Sequence, residues 1–350
     1  MSETGPRFLR ILFHNLKVSI LTFLPIGVLL FVGHLTWGVP ARLTVLLSAG
    51  YLTAFLILHV ISRNGTIGIR HLTFLIMIST AVLSVLLGAV YQIDRGGWNW
   101  YGLTGYDVVI HETVDADEFL SAEKFAARHP MFHFDVATGI LLLEEGQYDF
   151  AETLVIPAGL QFRIDPGTII RFGTGRSLLS YSPILAEGTS TRPILFAAQN
   201  DFFKWGCLAV TGGGKSVFRH VNFENGRRAF INGLNLVAGL NILESDVEIT
   251  DCSFINMVGK DALNIKMGHA VVRNSRFKDI YKDGIDMDGG SGEISYNEFV
   301  NCQDEGIDLS ETVEVAVHHN RIFDRYGGRV AADSNLSQVK AGNTFGYLNY

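Results

Sequence analysis

Three cysteines in 350 residues, at positions 207, 252 and 302, are too few and too far apart for a disulfide framework or a zinc site. Cys207, Cys252 and Cys302 read instead as free, buried thiols. Positive charge is scarce after residue 91. Residues 1–91 hold six cations (Arg7, Arg10, Lys17, Arg42, Arg63, Arg70) and one acid, Glu3, a net of +5; the whole chain carries −7, leaving −12 for residues 92–350. A surface that acidic argues against nucleic acid or anionic lipid as its partner.

Charge of either sign is missing from three apolar runs, Val18–Thr36, Leu43–Ile61 and Leu72–Tyr91. Each has about 20 residues, the length that crosses a hydrocarbon core of about 30 Å. No A-x-A-like cleavage site follows the first run and two more come directly after it, so it reads as an anchor. Arg7, Arg10 and Lys17 precede the first run, Arg63 and Arg70 separate the second from the third, and the intervening loop has only Arg42. The positive-inside rule then puts the N-terminus in the cytoplasm and everything after Tyr91 outside. The expectation is a multi-pass protein of the cell (inner) membrane, its lipid-bound part at 1–91 and the remainder periplasmic or extracellular. The linker 92–114 contains RGGWNWYGLTGY (Arg95–Tyr106), whose aromatic rings suit the outer interface. The spans contain no Asp, Glu, Lys or Arg to mark an ion path, and His14, His34 and His59 read as polar residues near helix ends or within a span.

From Asp115 the text DADEFLSAEKFAARH predicts an amphipathic helix within 115–130, with Asp115 and Glu118 at capping-box spacing and Phe119, Leu120 and Phe125 on one face. Strand-like runs broken by Gly, Pro and Asp follow it. They repeat. One apolar column runs Phe254, Phe277, Phe299, Ile322, Phe345 in steps of 23, 22, 23 and 23. Two more run Ile249, Val272, Ile294, Val317 and Leu263, Ile285, Ile307, Val330. A polar column runs Cys252, Ser275, Asn297, Asn320, Asn343. One copy of such a unit cannot bury its own apolar face, so copies stack at about 4.8 Å. Three short strands per copy make a right-handed parallel β-helix over 131–350, with the asparagines hydrogen-bonding along one bend.

N-x-F and D-G-I or E-G-I motifs in register make the chain resemble the pectate-lyase-like superfamily of β-helix proteins. The helix at 115–130 is a natural plug for the first coil. At the other end AGNTFGYLNY stops part-way round, so either Phe345, Tyr347 and Tyr350 close it or a membrane-complex partner docks there. LNLVAGLNIL (Leu234–Leu243) stretches one repeat step and is expected to project as a loop or lobe.

The candidate chemistry lies in YKDGIDMDGG and NCQDEGIDLSE. Alternation places Asn264, Asp286, Asp308 and Ala331 in one outward row, Lys266, Asp288, Ser310 and Asp333 in the next, and Asp261, Asp283, Glu305 and Gly328 at the preceding turn, with Asp304 beside Glu305. Like charges stacked that closely need solvent, a cation or raised pKa values. One reading is exposed acids that cap turns before glycine. The resemblance implies others. As in a pectate lyase, Asp286, Asp288 and Asp308 would hold Ca²⁺ against a uronate, with Lys266, Lys282 or Arg329 touching substrate and one of them removing a proton. As in a polygalacturonase, KDGID and QDEGID would put Asp283, Asp304 and Glu305 at the catalytic positions, although the chain lacks that family's N-T pair, its G-H-G histidine and its R-I-K segment. His318 and His319 share a strand end where one is expected to face inward; His220 and His269 stand singly. The function so implied is binding or modification of a cell-envelope or extracellular polysaccharide, by lysis, epimerisation or hydrolysis if catalytic; the alternative is a scaffold subunit of a membrane complex.

Overall fold

The computed structural model describes residues 111–114, 121–199, 204–312, 314–324, 327–332 and 342–348. The three predicted spans, the linker up to residue 110, the capping-box pair Asp115 and Glu118, Asp333 and Tyr350 lie outside them. No helix among the described residues is long and apolar enough to cross a membrane.

From Phe132 the chain winds as a right-handed solenoid of about eight turns with three strands to a turn. Among the described residues, sheet I contains nine strands, from Phe132–Asp135 to Glu314–His318; sheet II nine, from Gln147–Phe150 to Thr344–Tyr347; sheet III eight, from Leu154–Ile156 to Val330–Ala332. Neighbouring turns pair in parallel, and the register is the one the columns predict: Phe254 to Phe277 to Phe299 to Ile322 to Phe345 in sheet II, and Leu263 to Ile285 to Ile307 to Val330 in sheet III. The rings of Phe223, Phe254, Phe277 and Phe299 lie nearly parallel with centroids 4.7–4.8 Å apart. That spacing is the strand spacing itself, so backbone ladder and ring stack reinforce each other.

The bend from sheet I to sheet II is made by His220, Asp251, Asn274, Tyr296 and His319, all left-handed with φ between 46 and 57°. Such a conformation costs a non-glycine residue about 1 kcal/mol or more. In the later turns the asparagine that follows offsets that cost. The Asn297 amide nitrogen donates to the Val272 carbonyl (2.9 Å) and to Asn320 Oδ1 (3.1 Å), and its Oδ1 accepts the Ser275 N–H (2.9 Å). Asn320 repeats the pattern with the Ile294 carbonyl, Asn343 and the Asn297 N–H. The bend geometry also corrects the histidine expectation. Val317 and Asn320 point inward, while His318 sits partly exposed 3.3 Å from Glu293 and His319 lies outside, stacked on Tyr296.

Three further boundaries differ from expectation. The helix, α1, is Ala122–Arg128, because Ser121 is extended and caps it by accepting the Lys124 N–H. Phe125 of α1 packs edge-on against Phe132 and covers the first turn together with the antiparallel pair Phe132–Asp135 and Ile140–Leu143. The end of the 92–114 linker is no linker: His111–Glu112 is a strand beside Ala229–Ile231. Within the predicted lobe only Leu234–Leu236 leaves the solenoid, as the second arm of a hairpin with Ala229–Ile231, whereas Ala238–Leu243 is a full strand of sheet III. At the last turn Phe345 is 44% and Tyr347 70% exposed, so these two rings do not close the end. All three cysteines are free and buried, and burial pushes the Cys207 and Cys252 thiols up to about 12.

Replacing Asn320 by Ala strands the buried Asn297 N–H and the Ile294 carbonyl. Chemical denaturation should show a loss of about 3 kcal/mol; a loss under about 0.5 kcal/mol would mean the ladder is ornamental.

Candidate functional site: a carboxylate corner on sheet III

The turn from sheet II into sheet III carries the Asp-Gly-Ile pattern for a steric reason. A Cβ on Gly284 would come within 2.6 Å of the Gly306 carbonyl oxygen, and one on Gly306 within 2.6 Å of Ile322 Cγ2. The chain must hug the aromatic column to turn the corner, and only glycine allows it. The parallel ladder continues through the corner, with Ala262 N–H to Asp283 O and Gly284 N–H to Glu305 O both 3.0 Å. Asp261, Asp283 and Glu305 are therefore stacked one above another at the strand spacing.

They are not on an exposed face. Asp261 and Asp283 are both 0% exposed, and Glu305 is only partly open. Asp283 is satisfied: one oxygen accepts Lys282 Nζ at 2.7 Å and the other the Glu305 N–H at 2.9 Å. Among the described residues, neither oxygen of Asp261 has a hydrogen-bond partner. A bare carboxylate there would be very costly, so Asp261 holds its proton. Burial first, then the charges of Asp286 and Asp283 and a contact with Asp283, raise it to about 9, against the pull of Lys282. The two statements agree once the proton is placed, because a neutral Asp261 can donate to Asp283 and an ionised one cannot.

Glu305 is raised to about 8 by burial, by its contact with Asp283 and by the charges of Asp283 and Asp304. Its ion pair with Arg329, 3.0 Å away, works in the opposite direction. Arg329 also clasps Asp304 through its guanidinium. Asp286 is raised to about 6 by burial and by Asp288, Asp308 and Asp283; it accepts a bond from Asn264 at 3.1 Å. Burial works against charge on Lys282, but its hydrogen bond to Asp283 and the charges of Asp283, Asp261 and Asp304 outweigh it and hold the ammonium above its ordinary range.

Of the sequence candidates, Asp283, Asp304 and Glu305 meet at this corner, joined by Lys282 and Arg329. Lys266 does not; it pairs with Asp288 at 3.0 Å at the far end of the strand. Asp286 and Asp308 are register partners, as expected, but Asp288 is drawn off by Lys266. The oxygens that converge belong to Asp283, Glu305 and Asp308, within 4.8 Å of one another. Three hard carboxylate donors fit Ca²⁺ in chemistry, with Lys282 and Arg329 now occupying two of them. Asp261, which shares the turn row, carries none of the catalytic, substrate or metal roles the sequence implies, yet it is the most deeply buried acid of the corner together with Asp283. The one signal that it is buried is its place in the glycine corner's column, one turn before Asp283.

Sheet III also has a covered half. One outward row runs Val155, Leu179, Ala209, Asn241, Asn264, Asp286, Asp308, Ala331. The first three pack beneath Ala229, Ile231 and Leu236 of the hairpin. Two buried asparagines, Asn241 and Asn264, stand between that cover and the first acid, Asp286.

Fold and site together define a right-handed parallel β-helix with a carboxylate cluster at one corner. A family model described as "Right handed beta helix region" matches residues 261–346, roughly a quarter of the chain and the part that contains the cluster. No curated protein and no solved structure matches the chain.

Asp261→Asn should stabilise the fold, and increasingly so as pH rises. A carboxyl whose folded pKa is raised favours folding below its unfolded pKa, near 4, and loses that contribution as pH climbs towards 9. In chelator-containing buffer, urea midpoints at pH 5 and pH 8 should show the gain growing by at least about 1 kcal/mol. An equal gain at both values would mean that Asp261 is not held neutral.

Proposed function

We propose that the protein binds, and at its carboxylate corner modifies, a cell-envelope or extracellular glycan. The observation that carries this reading is the buried stack Asp261, Asp283, Glu305. Unequal environments set neighbouring carboxyls at different protonation states, which is the requirement for acid–base work at a glycosidic bond. Glu305, proton-bearing near neutral pH and reachable from solvent, is the proposed acid; Asp283, buried behind it and hydrogen-bonded to Lys282, is the proposed charge stabiliser. Asp286 and Asp308 line the approach. Net charge favours a neutral or amino-sugar chain, and a uronate would need Ca²⁺ at Asp283, Glu305 and Asp308 as a bridge. Likeness to pectate-lyase-like proteins is part of this proposal, as is the anchor: hydropathy and cation placement support three spans with the β-helix outside the inner membrane.

A second reading has one observation of its own. The exposed Phe345 and Tyr347 on the terminal strand suit a scaffold subunit docking a membrane-complex partner there.

Glu305→Gln and Asp283→Asn should each lower turnover of a responsive glycan by about 100-fold or more while binding persists. Asp286→Asn with Asp308→Asn should instead weaken binding about tenfold, measured by calorimetry with and without Ca²⁺. If all four substitutions leave binding and turnover of chitosan, neutral glucans and polygalacturonate unchanged, the glycan reading fails. If Phe345→Ser with Tyr347→Ser then strips the protein from a detergent-solubilised complex, the scaffold reading replaces it.

A further inference from the structure

The acidic face is closed at one end. The hairpin Ala229–Ile231 and Leu234–Leu236 lies over the outward side of sheet III, burying Val155, Leu179, Cys207 and Ala209. It is fastened rather than draped. Strand His111–Glu112 pairs with it, Glu112 bonds Arg176 and Thr153, and the Val114 N–H donates to Asn232 Oδ1 at 2.9 Å. Its two stems are tied to the turn that leads into the acids, Val258 N–H to Gly226 O at 2.9 Å and Lys260 N–H to Val237 O at 2.8 Å. Asp261 is the register partner of Ala238, the residue at which the chain rejoins sheet III after the hairpin.

A packed layer stands about 10 Å above the sheet it covers. Beyond it Asn241 and Asn264 are still buried, and the outward row opens only at Asp286, Asp308 and Ala331. Both acidic columns, Asp283 with Glu305 and Asp286 with Asp308, run along the solenoid axis away from this wall. A chain that meets them in succession lies along that axis and points at the hairpin, with only the buried rungs of Asn241 and Asn264 between the covered Ala209 and Asp286.

We propose that the hairpin is the blind end of the binding face, so that the site takes the free end of a glycan chain and not its interior. This rests on the glycan reading above and adds which part of the glycan is bound. Recognition would come from Asp286 and Asp308 along the chain and from hairpin residues at its terminus, of which Asn232, Gly233 and Asn235 are at least partly open to solvent.

The test uses the full-length protein in detergent with chitosan, and with polygalacturonate plus Ca²⁺. Each polymer is presented intact and after random scission to a tenth of its mean length. At equal polymer mass, end binding predicts that bound protein or turnover rises about tenfold, in step with the number of ends. A signal that follows polymer mass and ignores the number of ends overturns the inference while leaving the glycan reading intact. No binding to either probe, intact or cut, removes the glycan reading and the inference with it. Deleting Ile231–Leu234 should relax the dependence on ends in a variant that keeps its β-sheet circular dichroism; a folded variant with the same dependence also overturns the proposal. Should that variant not fold, the wild-type comparison decides alone.

Discussion

Every feature of this solenoid depends on parallel backbone hydrogen bonding in strict register between one turn and the next. A register that never slips puts each residue directly over its counterpart at about 4.8 Å. For phenylalanine and asparagine the repetition is favourable: rings stack face to face, and each amide finds the next turn's backbone. For aspartate it is not. Two full charges at that distance repel by about 3–4 kcal/mol at an effective dielectric near 20.

The corner at Asp261, Asp283 and Glu305 resolves that repulsion in three ways within three turns. Asp261 keeps its proton at all but alkaline pH, Asp283 takes the Lys282 ammonium, and Glu305, proton-bearing near neutral pH, has the Arg329 guanidinium beside it for when it ionises. Farther along the same strands, Asp288 is neutralised by Lys266 instead. Acids that only capped turns would need none of this, since water would do the work. At Asp283 and Glu305 the following glycine lets the chain close in tightly and carries the carboxyl inward; at Asp261 the small Ala262, itself buried, takes that place.

A second consequence of register is that a change in one row changes the whole face. The outward row of sheet III is apolar for three turns, amide for two and acidic for two. The apolar stretch would be an exposed patch without the hairpin, so hairpin and acids divide the sheet between them: one half is sealed, the other available.

The period, the three apolar columns, the asparagine bend and the parallel register were legible in the amino-acid sequence, because each is a local preference repeated at fixed spacing and repetition leaves a visible pattern. Asp283, Asp304 and Glu305 could be grouped for the same reason. What the pattern could not reveal was depth. Whether Asp261 is wet or dry depends on how tightly the corner packs, and whether Leu234–Leu243 projects depends on which of its residues find a partner strand in neighbouring turns. His319 escaped the alternation rule because its own left-handed conformation turns the chain there. Spacing along the chain thus determined what stands above what; only the packed structure decided what is covered, since burial is set by residues that arrive from other turns and from the inserted hairpin.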